Sequence, residues 1–171
     1  MMTSRSLVTL GLGALLVGCA AQPLPPTKTI IVPAGMDRSY DDYHYAPAVR
    51  VGDTVIVSGI PSGPEEDYEA GVRRMFGTLK RTLEDAGATL EDVVELTTFH
   101  RNPRDSASFN AEFEIFARIH GEFFREHYPA WSAVGTTALL SPAAAVEMRA
   151  VAVVGSGKTA RVQRAASKRP H

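Results

Sequence analysis

An alternation of two hydrophobic periodicities constrains this chain more than any other feature. Val72, Phe76, Leu79, Leu83 and Ala86 recur at the spacing of one helical face. They predict a helix from Asp67 to Ala86, which Gly87 ends as a left-handed cap. Val93 to Phe99 follows, rich in β-branched residues, and reads as a strand closed by Asn102-Pro103. A second helix is predicted from Ser106 to His127, with Phe109, Phe113, Phe116, His120 and Phe123 on one face. That aromatic stripe reads as core rather than as a ligand box. Further strands are predicted at Thr29–Pro33, at Trp131–Leu140 and at Ala145–Val154, and a hairpin pairs Ala48–Val51 with Thr54–Gly59 around Gly52-Asp53. Gly59 to Pro64 is a loop. The order β, β-hairpin, α, β, α, β, β specifies an α+β domain with two helices on one sheet face.

The other face of such a sheet is not polar. Val93 and Val94 are both apolar, as are Val151 and Val153 with Ala150 and Ala152. A sheet with two apolar faces and one helical layer needs another cover, and self-association supplies one together with interface pockets. Residues 28–154 are enough for a single domain. The 171-residue chain has a net charge of −1, and nothing in that balance favours nucleic acid. Its one cysteine, Cys19, has no partner for an internal disulfide, so the fold stands on packing.

Cys19 belongs to a different story. Arg5 precedes an apolar run from Leu7 to Gly18 that is too short to span a bilayer, which takes about 20 residues. Residues 1–19 therefore read as a secretory signal ending in a bacterial lipobox, Leu16-Val17-Gly18-Cys19, with lipid on the cysteine. Residues 20–27, with Pro23, Pro25 and Pro26, form a tether, and residues 155–171 read as a disordered basic tail. The expected location is the cell envelope, anchored by lipid to the outer membrane and facing the periplasm. Ala20 rather than Asp after the cysteine fits that sorting.

Several stretches resemble one family. Val51 to Gly59, ending in Ser58-Gly59, is similar to the hairpin strand of Rid (reactive intermediate deaminase) proteins. Leu83-Glu84-Asp85-Ala86-Gly87-Ala88 and Asp92 to Phe99 resemble that family's helix end and next strand. Phe109-Asn110-Ala111-Glu112-Phe113, Tyr128 to Val134 and Val146 to Ala152 resemble its second helix and two closing strands. The resemblance implies a chorismate-mutase-like α+β fold with a mixed sheet, a homotrimer, clefts between neighbouring subunits, and neither metal nor organic cofactor. It implies hydrolysis of 2-imino acids or their enamine tautomers to 2-keto acids and ammonia. By the same resemblance Tyr45, Ser58, Gly59, Asn110 and Ala133 line the cleft, and Glu147 places the attacking water. The family's carboxylate-gripping arginine corresponds to Trp131.

That last correspondence changes the chemistry expected. Arginine offers a planar fork for a carboxylate, whereas an indole offers one N–H and an apolar face. The lost contact is worth roughly 1.5–3 kcal/mol, about one to two decades in affinity. Arg149 lies two residues beyond Glu147, so alternation puts both on one face. It either replaces the missing cation or makes an ordinary ion pair. Tyr45 and Trp131 facing Glu147 would instead suit a neutral, aromatic or cationic molecule. Among the five histidines no metal-binding spacing occurs, and His100 at a strand end reads as a rim residue. Ser58-Gly59 lacks the nucleophile elbow of serine hydrolases, and Asp41-Asp42 with Glu65-Glu66-Asp67 read as solvated loop acids. Two function classes stand: a Rid-type hydrolase of a small C–N substrate, or a non-catalytic small-molecule-binding envelope lipoprotein.

Overall fold

A computed structural model describes residues 25–63 and 68–165. The signal segment with Cys19, residues 20–24 of the tether, the acids at 65–67 and residues 166–171 of the tail lie outside the described residues. Among the described residues no helix is long and apolar enough to cross a membrane.

The strands are β1 (Lys28–Ile31), β2 (Ala48–Val51), β3 (Thr54–Pro61), β4 (Val93–Arg101), β5 (Ala130–Thr136) and β6 (Val146–Val153). They form one mixed sheet in the order β1-β2-β3-β6-β4-β5. Only β4 and β5 pair in parallel. A parallel pair needs a long crossover, and here it contains helix α3 (Ser106–Phe123). Helix α2 (Tyr68–Asp85) follows β3, and a short helix α1 (Asp37–Asp41) precedes β2.

The predicted stripe of α2 is buried throughout: Val72, Phe76, Leu79, Leu83 and Ala86 are at most 3% exposed. Side chains of this size contribute about 1.5–3 kcal/mol each when fully buried. They pack on the sheet face that carries Val55, Val57, Leu96, Met148, Ala150 and Ala152. Gly87 has φ +78, and Ala88 N donates to Leu83 O at 2.8 Å, closing α2 as predicted.

Several elements differ from expectation, and β3 runs to Pro61 into the expected Gly59–Pro64 loop. Helix α3 stops at Phe123, short of His127, because Phe124 turns extended and enters the core, 4% exposed, with its ring 4.5 Å from His120. Strand β5 stops at Thr136, short of Leu140, where its only partner β4 ends at Arg101. The acids Asp41-Asp42 adjoin an unforeseen helix, α1, braced by Arg38 Nε donating to Asp42 Oδ2 at 2.9 Å. The start of the expected tail is structured: Ser156–Thr159 make a 3-10 turn, and Gly157 N donates to Asp92 Oδ1 at 3.0 Å.

Among the described residues nothing covers the second sheet face. Ile56 is 45% exposed, Val134 44% and Val94 40%.

Candidate functional site

A bulge in β3 builds the first half of the site. Val57 pairs with Ala150 and Ile60 with Met148, so Ser58 and Gly59 together stand opposite Arg149. The Ser58 backbone N–H continues the β2–β3 register by donating to Pro47 O at 2.9 Å, and its hydroxyl donates to Ala46 O at 2.7 Å. These bonds tie the segment 45–47 to the bulge. Tyr45 N donates to Ser39 O at 3.0 Å, which leaves the phenol at the surface, 40% exposed.

Glu147 comes to the same place from β6. Its carboxyl lies so close to Gly59 that a Cβ at position 59 would stand 2.2 Å from Oε1. Only glycine permits this approach. Glu147 is half-buried, and burial raises its carboxyl above the ordinary glutamate range. Among the described residues its carboxylate has no hydrogen-bond or ion-pair partner. Arg149 shares this sheet face, but its guanidinium donates to Glu95 Oε1 across the strands at 3.0 Å.

The remaining nominated residues lie elsewhere. Trp131 pairs with Leu96 and Ala133 with Thr98, which puts both on the helix-covered face, whereas Glu147 pairs with Phe99 on the other. Within one protomer Trp131 therefore does not face Glu147. The indole lies under α3, 4.8 Å and 16° from the His120 ring, with Phe113 at 4.8 Å and Phe116 at 5.3 Å. Asn110 is exposed on the same helix. Register, and not periodicity, decides these placements.

The indole N–H is already in use. Trp131 Nε1 donates to Thr98 Oγ1 at 3.1 Å. The same hydroxyl lies within hydrogen-bond distance of His100 Nε2, at 2.9 Å. On the other side of the ring His100 Nδ1 lies 2.9 Å from Glu112 Oε1, and Tyr68 donates to the same oxygen at 3.0 Å. Burial, reinforced by the Glu112 carboxylate, pushes the Tyr68 phenol above its ordinary range and keeps it a donor. His100 is 0% exposed, so it is a core residue and not a rim one. Its strand-end position gave no sign of this five-residue chain.

Larger hollows lie away from these groups. A cleft of about 550 Å³ lined by Lys80, Glu84, Leu90, Glu91, Phe124 and His127, among others, contains none of the nominated residues. Among the described residues no group of three or more His, Cys, Asp or Glu side chains is arranged to hold a metal ion.

A family described as Endoribonuclease L-PSP matches residues 38–154, well over half of the chain. The chain belongs to this RidA/YjgF/L-PSP (RutC) family. It is 36% identical over 116 residues to the RutC family protein YjgH of Escherichia coli (strain K12), covering 64% of this chain and 84% of that one. It is 35% identical over 115 residues to the 2-iminobutanoate/2-iminopropanoate deaminase of Salmonella typhimurium, covering 64% and 86%. The crystal structure of a YjgF/YER057c/UK114 family member from Mycobacterium tuberculosis superposes with a TM-score of 0.62 at 30% identity, covering 75% of this chain and all of that one. The mixed six-stranded sheet with two main helices is the Rid fold that the sequence resemblance implied.

Proposed function

We propose that this chain hydrolyses the C=N bond of a small imine, or of its enamine tautomer, with Glu147 as the base that positions and deprotonates water. The observation that carries the reading is a half-buried carboxylate without an internal partner, lodged against a glycine, in a family whose relatives include proteins named as imine deaminases. Desolvation makes Glu147 a stronger base than a free glutamate. Water adds to the carbon of the protonated imine as Glu147 takes one of the water protons, which leaves a neutral carbinolamine. Glu147 then returns that proton to the nitrogen; the C–N bond breaks, the carbon becomes a carbonyl, and the hydroxyl proton leaves with the departing nitrogen as ammonium.

The cleft for this chemistry is shared between copies of the chain. Tyr45, Ser58, Gly59 and Glu147 form one half-site, and Asn110, Trp131 and Ala133 lie on the opposite sheet face. A neighbouring copy packed on the uncovered apolar face would complete each half and cover Ile56 and Val134. We expect the assembly to be a homotrimer. Simple anionic 2-imino acids are expected to be weak substrates. Trp131 stands where the resemblance puts a carboxylate-binding arginine, its N–H is spent on Thr98, and Arg149 is engaged by Glu95. We also read Cys19 as a lipid anchor that holds the domain at the cell envelope.

The test uses freshly generated 2-iminopropanoate, with keto-acid formation followed against the uncatalysed rate. Glu147→Gln is expected to reduce any turnover by about 10²–10⁴-fold. Equal turnover by the variant would remove Glu147 from the chemistry. Saturable binding of imine analogues without turnover would select the non-catalytic binding reading instead. Sedimentation equilibrium reports the assembly, and a monomer at micromolar concentration would contradict the shared cleft.

A further inference from the structure

We propose that the depression beside Tyr45, lined by Tyr40, Asp41 and His44, is a subsite for a cationic group, ammonium or guanidinium, on the substrate's side chain. It takes its place next to the chemistry from the hydrolase reading above. The depression measures about 380 Å³. Tyr40 is 46% exposed, and among the described residues no hydrogen bond or ion pair is made by the side chains of Tyr40, Asp41 or His44.

The same segment shows which partner such a set takes. Arg38 donates to Asp42 at 2.9 Å while its guanidinium carbon stands 5.6 Å from the centre of the Tyr43 ring. An acid and a phenol thus already hold one guanidinium here. Tyr40 and Asp41 repeat that pairing of types without an internal cation, and His44 adds an imidazole. His44 adopts φ +58, a left-handed conformation uncommon for a residue with a side chain, which marks the turn as specified rather than slack. A ring face and a carboxylate together select cations over neutral groups.

The local charge balance agrees. Arg38 is spent on Asp42 and Arg149 on Glu95, while Asp41 and Glu147 are unpaired. The surroundings of Tyr45 therefore favour a positive ligand group. Hydrogen bonds link this segment to the reacting end: Tyr45 N donates to Ser39 O, Ala46 O accepts from the Ser58 hydroxyl, and Gly59, next in sequence, lies against Glu147. Recognition would thus be moved from the substrate's carboxylate to a cation at its far end.

Two substrates separate charge from size: the 2-imino acids generated from arginine and from citrulline, which differ in a guanidinium against a neutral urea. The full chain is expected to prefer the arginine-derived imine in kcat/KM by about tenfold. Asp41→Asn should bring the ratio close to one, whereas Asp37→Asn, on the same short helix, should leave the ratio as it was. An unaltered ratio in Asp41→Asn, or a preference for the citrulline-derived imine, overturns the subsite. If no imine is turned over, the hydrolase reading fails by itself, and the subsite is then judged by titration with agmatine. Saturable shifts of the His44 ring resonances, lost in Asp41→Asn, sustain it, and their absence removes it.

Discussion

His120 offers a sharp test of how the aromatic layer is held together. Its ring lies between Trp131, 4.8 Å away at 16°, and Phe124, 4.5 Å away at 19°. Nε2 is buried with no partner, and the residue is 6% exposed. Charging this imidazole would put a cation among hydrocarbon rings, and burial accordingly pushes its pKa from 6.5 down to about 4. The folded state thus binds fewer protons than the unfolded chain between those values. Stability from this group is fully present above pH 6.5 and is lost as pH falls toward 4. The whole shift corresponds to about 3 kcal/mol, and linkage places about 2 kcal/mol of the loss between pH 8 and pH 5. His120→Phe keeps a flat ring of similar size and removes the titration. Urea unfolding followed by far-UV circular dichroism at pH 8 and pH 5 measures both proteins. The unaltered chain should lose about 2 kcal/mol more than the variant over that interval. Parallel losses would refute the reasoning, since they would mean that His120 is charged at no cost or reaches water before the chain unfolds.

Two further outcomes follow from single atoms. Gly59→Ala puts a methyl 2.2 Å from Glu147 Oε1 and 2.7 Å from its Cδ, so the carboxyl must swing away. The side-chain end is free to move, so the unfolding free energy should change by less than about 1 kcal/mol, while turnover or ligand affinity falls about 100-fold. Full activity in a stable Gly59→Ala protein would show that the carboxyl position is irrelevant. Trp131→Phe keeps a ring under α3 but withdraws the donor from Thr98 Oγ1. Urea unfolding should show a loss of about 1–3 kcal/mol from the missing hydrogen bond and the smaller ring; no loss would mean that the Thr98 contact is not formed in solution.

Much of the architecture was legible because it rests on local periodicity. The α2 stripe needed only residue spacing, and Gly87 announced the end of its helix. What depended on strand neighbours was not legible. Alternation put Arg149 and Glu147 on one face, but it could not supply Glu95, which reaches Arg149 through the register of β4 on β6. Nor could it show that Trp131 and Glu147 lie on opposite faces, because that relation passes through β4, parallel to one strand and antiparallel to the other. The end of α3 was missed because Phe124 satisfies the core better by leaving the helix than by extending it. The Tyr40, Asp41 and His44 set was hidden by the reading of the acids as loop residues. Its visible signal was the density of aromatic residues, three tyrosines and a histidine within Tyr40 to Tyr45.

The widened step in β3 has a consequence of its own. A strand normally assigns inside and outside by parity, odd positions one way and even positions the other. Val55 and Val57 obey that count, yet Ile60 also points inward, which an unbroken count would forbid. The extra residue resets the count and takes two successive positions out of the inside-or-outside decision. One short strand can therefore anchor the core at both ends and still turn two adjacent residues away from it midway, so the interior can be repacked and the segment around Ser58 and Gly59 altered with little interference between them.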